Sequence, residues 1–182
     1  ALLRKAYERS GISAYPDYQN FIRDNGWWLN DYALFMALKT FFHDQPFRAW
    51  PEDIRMHWGF ALEHYNRELY FDIEFQKYMQ FKFNQQWSRL KAYANGKHIQ
   101  IVGDIPIYVS PDGADVWAHP ELFQLDAHNA PTAIAGCPPD AFAKDGQAWG
   151  NPLYNWNFHR ATDYAWWVSR MWYSFKLYDV VR

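Results

Sequence analysis

Three short stretches carry side chains whose type and spacing could do chemistry. Asp104 closes an apolar run, in Gly103-Asp104-Ile105-Pro106. A carboxylate at a strand end is costly to bury unless something bonds to it. Asp104 is therefore either a functional acid or a turn residue bonding its own backbone. In Gly136-Cys137-Pro138-Pro139-Asp140-Ala141-Phe142, two prolines stiffen the backbone ahead of an acidic and an aromatic side chain. Both can then be presented at low entropic cost. Gly146-Gln147-Ala148-Trp149-Gly150-Asn151-Pro152 places an amide and an indole between turn formers. Carboxylates and amides pair with vicinal hydroxyls, and aromatic rings cover the apolar C–H face of a sugar, so the combination points to carbohydrate recognition. Taken singly, Phe142 and Trp149 serve as well as anchors that fasten a loop to a core.

Other reactive residue types lead less far. Asp112, Asp115 and Asp126 do not follow the alternating ligand pattern of a calcium loop, and Asp112-Gly113 is an ordinary turn dipeptide. His57 and His64 fall on helical segments without further ligands at metal-binding spacing. Cys137 has only Pro, Gly and Ala around it, with no base or cation to activate a thiol, and reads as a small apolar residue. No metal site is expected.

The elements that must position these groups divide the chain in two. Residues 1–95 read as helices. Pro16-Asp17 opens a short helix expected to stop near Asn25-Gly26. Leu34, Ala37, Leu38 and Phe41 mark one apolar face at i, i+3, i+4, i+7. Trp50-Pro51 starts another helix, with Glu52 and Asp53 in its first turn. A long helix is expected over Asn66 to Ala94, ended by Asn95-Gly96, with a buried stripe of Phe75, Met79, Phe83, Trp87, Leu90 and Ala94. The period then changes. Ile99, Ile101 and Val102, then Ile105, Ile107 and Val109, form a β-rich run apolar on both faces, as in a parallel sheet covered by helices. Residues 110–161 follow with little periodicity. Thr162 is expected to cap a helix with Trp167, Met171 and Phe175 on its apolar face, and Tyr178 to Arg182 reads as the next strand. Residues 96–182 thus form one βα unit with an inflated loop, the feature most often functional in a compact domain. In a (β/α)8 barrel such loops carry the active site.

Composition bounds the rest. The chain has 182 residues, 18 basic against 20 acidic side chains and a net charge of −2, which gives no general field toward nucleic acid or an anionic membrane. One cysteine excludes an intrachain disulfide and leaves the cytoplasm as the default compartment. The aromatic content is high, with 11 Trp, 13 Tyr and 14 Phe, which fits a Trp-rich core or stacking surfaces for flat, weakly polar ligands. No stretch approaches the ~18 apolar residues of a membrane span. Ala1 in place of Met, and a terminal strand that stops as it begins, lead us to expect a piece of a larger protein.

Taken together, GDIPIYVSPDGADVWAHPELFQLD (Gly103 to Asp126), AGCPPDAF (Ala135 to Phe142), GQAWGNPLYNW (Gly146 to Trp156) and the terminal DVVR (Asp179 to Arg182) resemble the amylomaltases, bacterial 4-α-glucanotransferases related to the α-amylases. WWLNDYALFMALK, WP..IR and QFKFNQQW upstream fit the helical part of the same family. The resemblance implies an α/β fold: a helix-rich, incomplete portion of a (β/α)8 TIM barrel with a large helical insertion, residues 1–95 and 96–182 forming parts of one catalytic domain. It implies action on α-1,4-glucans and maltooligosaccharides. A glucan segment is held as a covalent glycosyl-enzyme and passed to the 4-hydroxyl of another sugar, by two carboxyl groups about 5 Å apart. Asp104 matches the strand-end aspartate of the active site. Asp140 and Phe142 match the loop that closes over the glucan, and Gln147 and Trp149 the polar and stacking residues beside it. Arg182 matches the arginine that supports the nucleophile, which the resemblance places just past the chain, so that these residues alone are expected to be inactive. Ala141 departs from the tyrosine of many members, which puts one stacking contact in question. No cofactor is implied, since carboxyl groups suffice for this chemistry. The other readings are an α-amylase-type hydrolase and a non-catalytic glucan-binding module. Too few strands to close a barrel would leave sheet edges and apolar helix faces through which the chain is expected to associate with itself.

Overall fold

The computed structural model describes residues Leu2–Arg182. A short helix α1 (Leu2–Ser10) leads into α2, which begins at Pro16, whose fixed φ suits the first helical position. The exit expected at Asn25-Gly26 does not occur, and α2 runs unbroken over Pro16–Phe41. Asparagine favours helix ends because its amide competes for backbone groups. Buried Asn25 settles that competition inside the helix: Nδ2 donates to Phe21 O (2.8 Å), and Oδ1 accepts from Trp28 Nε1 (3.3 Å). Gly26 costs about 1 kcal/mol relative to alanine, which packing along both halves of the helix outweighs.

After Pro51 comes α3 (Glu52–Arg55), with Glu52 and Asp53 in its first turn as expected. The single long helix expected from Asn66 is instead two, α4 (Gly59–Glu68) and α5 (Tyr70–Asn95), with buried Leu69 turning the chain between them. The expected stripe on α5 is also only half right. Phe75 and Met79 pack against buried residues, but Phe83 and Leu90 are 52% and 53% exposed, and the buried face is Ile73, Gln76, Tyr78 and Phe81. A row at steps of four drifts around a helix of 3.6 residues per turn, so a row that starts on the core has turned off it by Phe83.

The two halves of α2 serve different cores. Tyr18, Phe21 and Leu29 pack with Ile12 and with Tyr78 and Phe81 of α5. Ala33, Leu34, Ala37 and Leu38 pack with Phe47, Trp50, Ile54, Trp117, Leu122, Phe123 and Tyr154. The second core therefore takes side chains from both the helical half and the long connection. Trp117, fully buried, lies against Phe35 and Trp50 and donates Nε1–H to Ile54 O at 2.8 Å. Lys39, near the end of α2, donates to Asp44 O, Gln45 O and Asp112 Oδ2, each at 2.8 Å.

Strand β1 (Val102–Gly103) pairs in parallel with β4 (Val180–Val181), in the register Val102↔Val180 and Gly103↔Val181. Helix α8 (Ala165–Leu177) completes the βαβ unit that the sequence predicts. The connection is not structureless. It contains α6 (Ala114–Ala118), an antiparallel hairpin of β2 (Ile134–Cys137) and β3 (Gln147–Pro152), and α7 (Trp156–Ala161). These elements are too short to show a period. Thr162 does not cap α8. Its Oγ1 donates to Phe158 O at the end of α7, and α8 begins after Tyr164, which has a positive φ of 55°. No helix among the described residues is long and apolar enough to cross a membrane.

Because Trp117 is walled in by aromatic rings, Trp117→Ala is expected to lower unfolding free energy by about 3–5 kcal/mol. Leu2→Ala, at an 82% exposed position, is expected to change it by less than about 0.5 kcal/mol, both read by chemical denaturation.

Candidate functional site

The parallel pair carries Asp104 and Arg182 to neighbouring strand ends. Arg182 N–H donates to Gly103 O (2.9 Å), and Ile105 N–H donates to Arg182 O (3.2 Å), so the ladder continues through both residues. Their side chains meet in a bidentate pair, Nε to Oδ1 at 2.7 Å and Nη2 to Oδ2 at 2.5 Å. This planar fork is the geometry that lysine cannot supply. The Arg182 hydrogen bonds hold the Asp104 carboxyl below the usual carboxylate range, and the same bonds raise the guanidinium further. Both side chains remain largely open to solvent.

The opposite end of the ladder is closed by Asp179. Its carboxylate accepts from Ile101 N–H and Asn95 Nδ2, both at 2.8 Å, with Lys91 Nζ 3.4 Å away. These contacts, the Ile101 amide first, keep its pKa below the ordinary value. Trp87 Nε1 and Lys91 Nζ donate to Leu177 O and Tyr178 O, which fastens α5 to the start of β4.

Residues 105–109 are not a second strand segment. Pro106 lacks an N–H, and side chains from elsewhere hold this backbone in place of a ladder. Arg170 Nη2 donates to Pro106 O (2.8 Å), Tyr154 Oη–H to Ile107 O (2.7 Å) and Asn151 Nδ2 to Val109 O (2.7 Å). Burial raises the Tyr154 phenol above its usual pKa, so it keeps the proton it donates. The Arg170 guanidinium lies 4.8 and 5.1 Å from the ring centres of Trp166 and Trp167. Sequence reading missed these three positioning residues. Asn151 and Tyr154 stand inside a motif already singled out, but Arg170 lies 64 positions from its partner, and nothing local marks it.

The hairpin presents the other candidates. Trp149 Nε1–H donates to Gln147 Oε1 (3.0 Å), which joins indole and amide on one face of β3. Trp149 is 48% exposed, and its ring centre lies 6.2 Å from that of Tyr108, which stacks on Tyr154. Gly136 lets the strands approach closely, since a Cβ there would lie 2.2 Å from Gln147 O. Asp140 folds back on its own turn, with Oδ1 accepting from Phe142 N (2.8 Å) and Ala143 N (2.7 Å). That turn sets Phe142 almost wholly into solvent, at 97% exposure.

Two of the expected groupings therefore form, Asp104 with Arg182 and Gln147 with Trp149. Among the described residues no hydrogen bond or ion pair joins Asp140 or Phe142 to either pair. The remaining aspartates have separate duties. Asp112 accepts from Lys39 Nζ and from Phe47 N (2.9 Å), Asp115 from Trp166 Nε1 (3.3 Å), and Asp126 from His128 N and Ala130 N.

The chain thus combines a strand-end carboxylate paired to an arginine with a hairpin that carries an exposed indole. Its whole length, residues 1–182, matches the family described as 4-alpha-glucanotransferase, glycoside hydrolase family 77, and the chain belongs to that family. It is 44% identical over 182 residues to the 4-alpha-glucanotransferase of Clostridium butyricum, covering all of this chain and 37% of that one. It is 45% identical over 183 residues to that of Streptococcus pneumoniae serotype 4, covering all of this chain and 36% of the other. Among solved structures, the amylomaltase from Streptococcus agalactiae in complex with acarbose superposes with a TM-score of 0.87 at 43% identity, over 91% of this chain and 33% of that one. The chain thus spans little more than a third of the length of the curated relatives.

The ion pair makes a pH prediction. A depressed Asp104 pKa means that the pair's contribution is complete above the unfolded value of ~3.9 and fades as pH falls through the lower folded value. Carboxyl-carbon NMR should place the Asp104 midpoint below the ordinary range, and Arg182→Gln should return it to that range.

Proposed function

We propose that this chain is part of a cytoplasmic 4-α-glucanotransferase that moves α-1,4-glucan segments to the 4-hydroxyl of another glucan or of glucose by retaining double displacement. In this reading residues 96–182 are one βα unit of a (β/α)8 barrel, residues 1–95 cover it, and both belong to one catalytic domain. The single observation that carries the reading is the Asp104–Arg182 pair at the ends of two parallel strands, in a chain that belongs to the 4-alpha-glucanotransferase family.

The chemistry follows from charge. A retaining reaction needs a carboxylate nucleophile and a carboxylic acid about 5 Å apart. A guanidinium fixed by Asp104 is already oriented, and its remaining donors keep a nearby carboxylate ionised. Asp104 accepts from Arg182 and has further lone pairs for sugar hydroxyls. The Trp149 indole, braced by Gln147 and Tyr108, offers a flat face to a glucose ring. Phe142, on a stiff turn at full exposure, is the residue best placed to fold over a bound chain and shield the intermediate from water. The acarbose in the Streptococcus agalactiae amylomaltase supports an α-glucan as substrate here. Exposed Val102 and Val180 on the open sheet are surfaces through which the isolated chain would associate with itself.

The complete gene product, incubated with maltotriose, is expected to give longer maltodextrins plus glucose, whereas shortening alone would mean a hydrolase. Residues 1–182 alone are expected to give neither. In the complete enzyme, Asp104→Asn leaves the guanidinium with a weaker, neutral partner and is expected to lower kcat/KM about 10- to 100-fold, from the ~1.5–3 kcal/mol typical of a charged hydrogen bond. Trp149→Ala is expected to act mainly through KM.

A further inference from the structure

On the faces of α2, α6 and α8 lie two adjoining open hollows of about 130 and 280 Å³ that share Trp27, His119 and Trp166. Joined, they fall at the lower end of the ~300–1,000 Å³ typical of small-molecule sites. Of the residues that line them only Trp166 touches the site described above, through the Arg170 guanidinium on its ring. Trp27 is 46% exposed, held with its ring centre 6.4 Å from that of Tyr173. Asp31 opens into the smaller cavity, and its carboxylate is under-used. Its nearest partners are His57 Nε2 at 3.9 Å and His119 Nε2 at 3.7 Å, both beyond hydrogen-bond range. Buried His57 Nε2 has no partner at all. Burial also keeps His57 below the ordinary histidine pKa, so it does not neutralise Asp31 at pH 7. Asp115 lines the same cavity and accepts only one long bond, from Trp166 Nε1 at 3.3 Å.

We infer that this groove is a second binding site for an α-1,4-glucan segment, separate from the catalytic one. It rests on the reading of the chain as part of an α-glucan enzyme. Indole faces cover the apolar side of a pyranose, while Asp31 and Asp115 accept from its hydroxyls and the His119 ring supplies a donor. The ligand is defined by elimination as well. No lysine or arginine lines either cavity, which disfavours phosphates and acidic peptides. No cluster among the described residues could hold a metal ion. A ligand that both gives and takes hydrogen bonds and has a flat apolar face fits what remains. Such a site would tether a long glucan and raise its local concentration at the catalytic centre.

The test uses the complete gene product, with Trp27→Ala and Asp31→Asn compared with wild type. Affinity electrophoresis in amylose-containing gels and the KM for amylose are measured beside the transfer rate with maltotriose, a donor of only three sugars. Both variants are expected to lose about tenfold in amylose affinity while maltotriose transfer changes less than twofold. Unchanged amylose affinity in a folded Asp31→Asn variant overturns the inference, even if Trp27→Ala misfolds. If wild type fails to extend maltotriose, the enzymatic reading is lost, yet weaker amylose retardation in the variants would still establish the groove.

Discussion

The arrangement at the strand ends depends on how closely β1 and β4 approach. A Cβ on Gly103 would lie 2.2 Å from Cδ2 of Tyr178, so glycine here leaves room for the Tyr178 ring against β1 beside the register in which Arg182 N–H meets Gly103 O. Arg182 itself and Asp104, the residue after Gly103, then form the bidentate salt bridge without either side chain leaving its strand end. Surface ion pairs contribute little to stability in general. The value of Asp104–Arg182 is therefore positional, because it fixes the plane and direction of a guanidinium at the end of the ladder.

Around this pair the molecule uses side chains where backbone pairing is absent. Asp179 closes one end of a very short ladder, and Arg170, Tyr154 and Asn151 hold the carbonyls of Pro106, Ile107 and Val109 beyond the other. A two-stranded parallel sheet is weak by itself. Its stability here is borrowed from α5, through Trp87 and Lys91, and from α8. The aromatic abundance has the same logic. Trp117, Trp50 and Phe35 build the core beneath α2, while Trp166 and Trp167 support Arg170. Trp149 alone among the sequence candidates keeps a large ring open beside a hydrogen-bonded amide.

What could be read in advance followed from local rules. A run apolar on both faces implied parallel pairing, and β1 does pair in parallel with β4. Pro51 with Glu52 and Asp53 implied a helix start, and α3 begins there. Asn25-Gly26 misled because a buried amide can satisfy itself within a helix, which no local pattern records. The α5 stripe misled because the true core face is set by α2 and not by the spacing of large side chains. For the site, Gln147 and Trp149 were legible as a pair, whereas Arg170 was not, since its contact with Pro106 spans distant sequence. The motif around Asp140 was visible, but the self-contained turn that leaves Phe142 projecting follows from two backbone bonds that only the structure displays.

The central claim, that a parallel ladder clamped at both ends positions Asp104 against Arg182, is tested most directly by amide hydrogen exchange on the complete gene product. Ile101, Ile105 and Arg182 donate their amides to Asp179 Oδ2, Arg182 O and Gly103 O. These three amides should exchange slowly and lose protection together when Asp179→Ala removes one clamp. Exchange at the free-peptide rate in the wild type, with the amides of α2 still protected, would contradict the account.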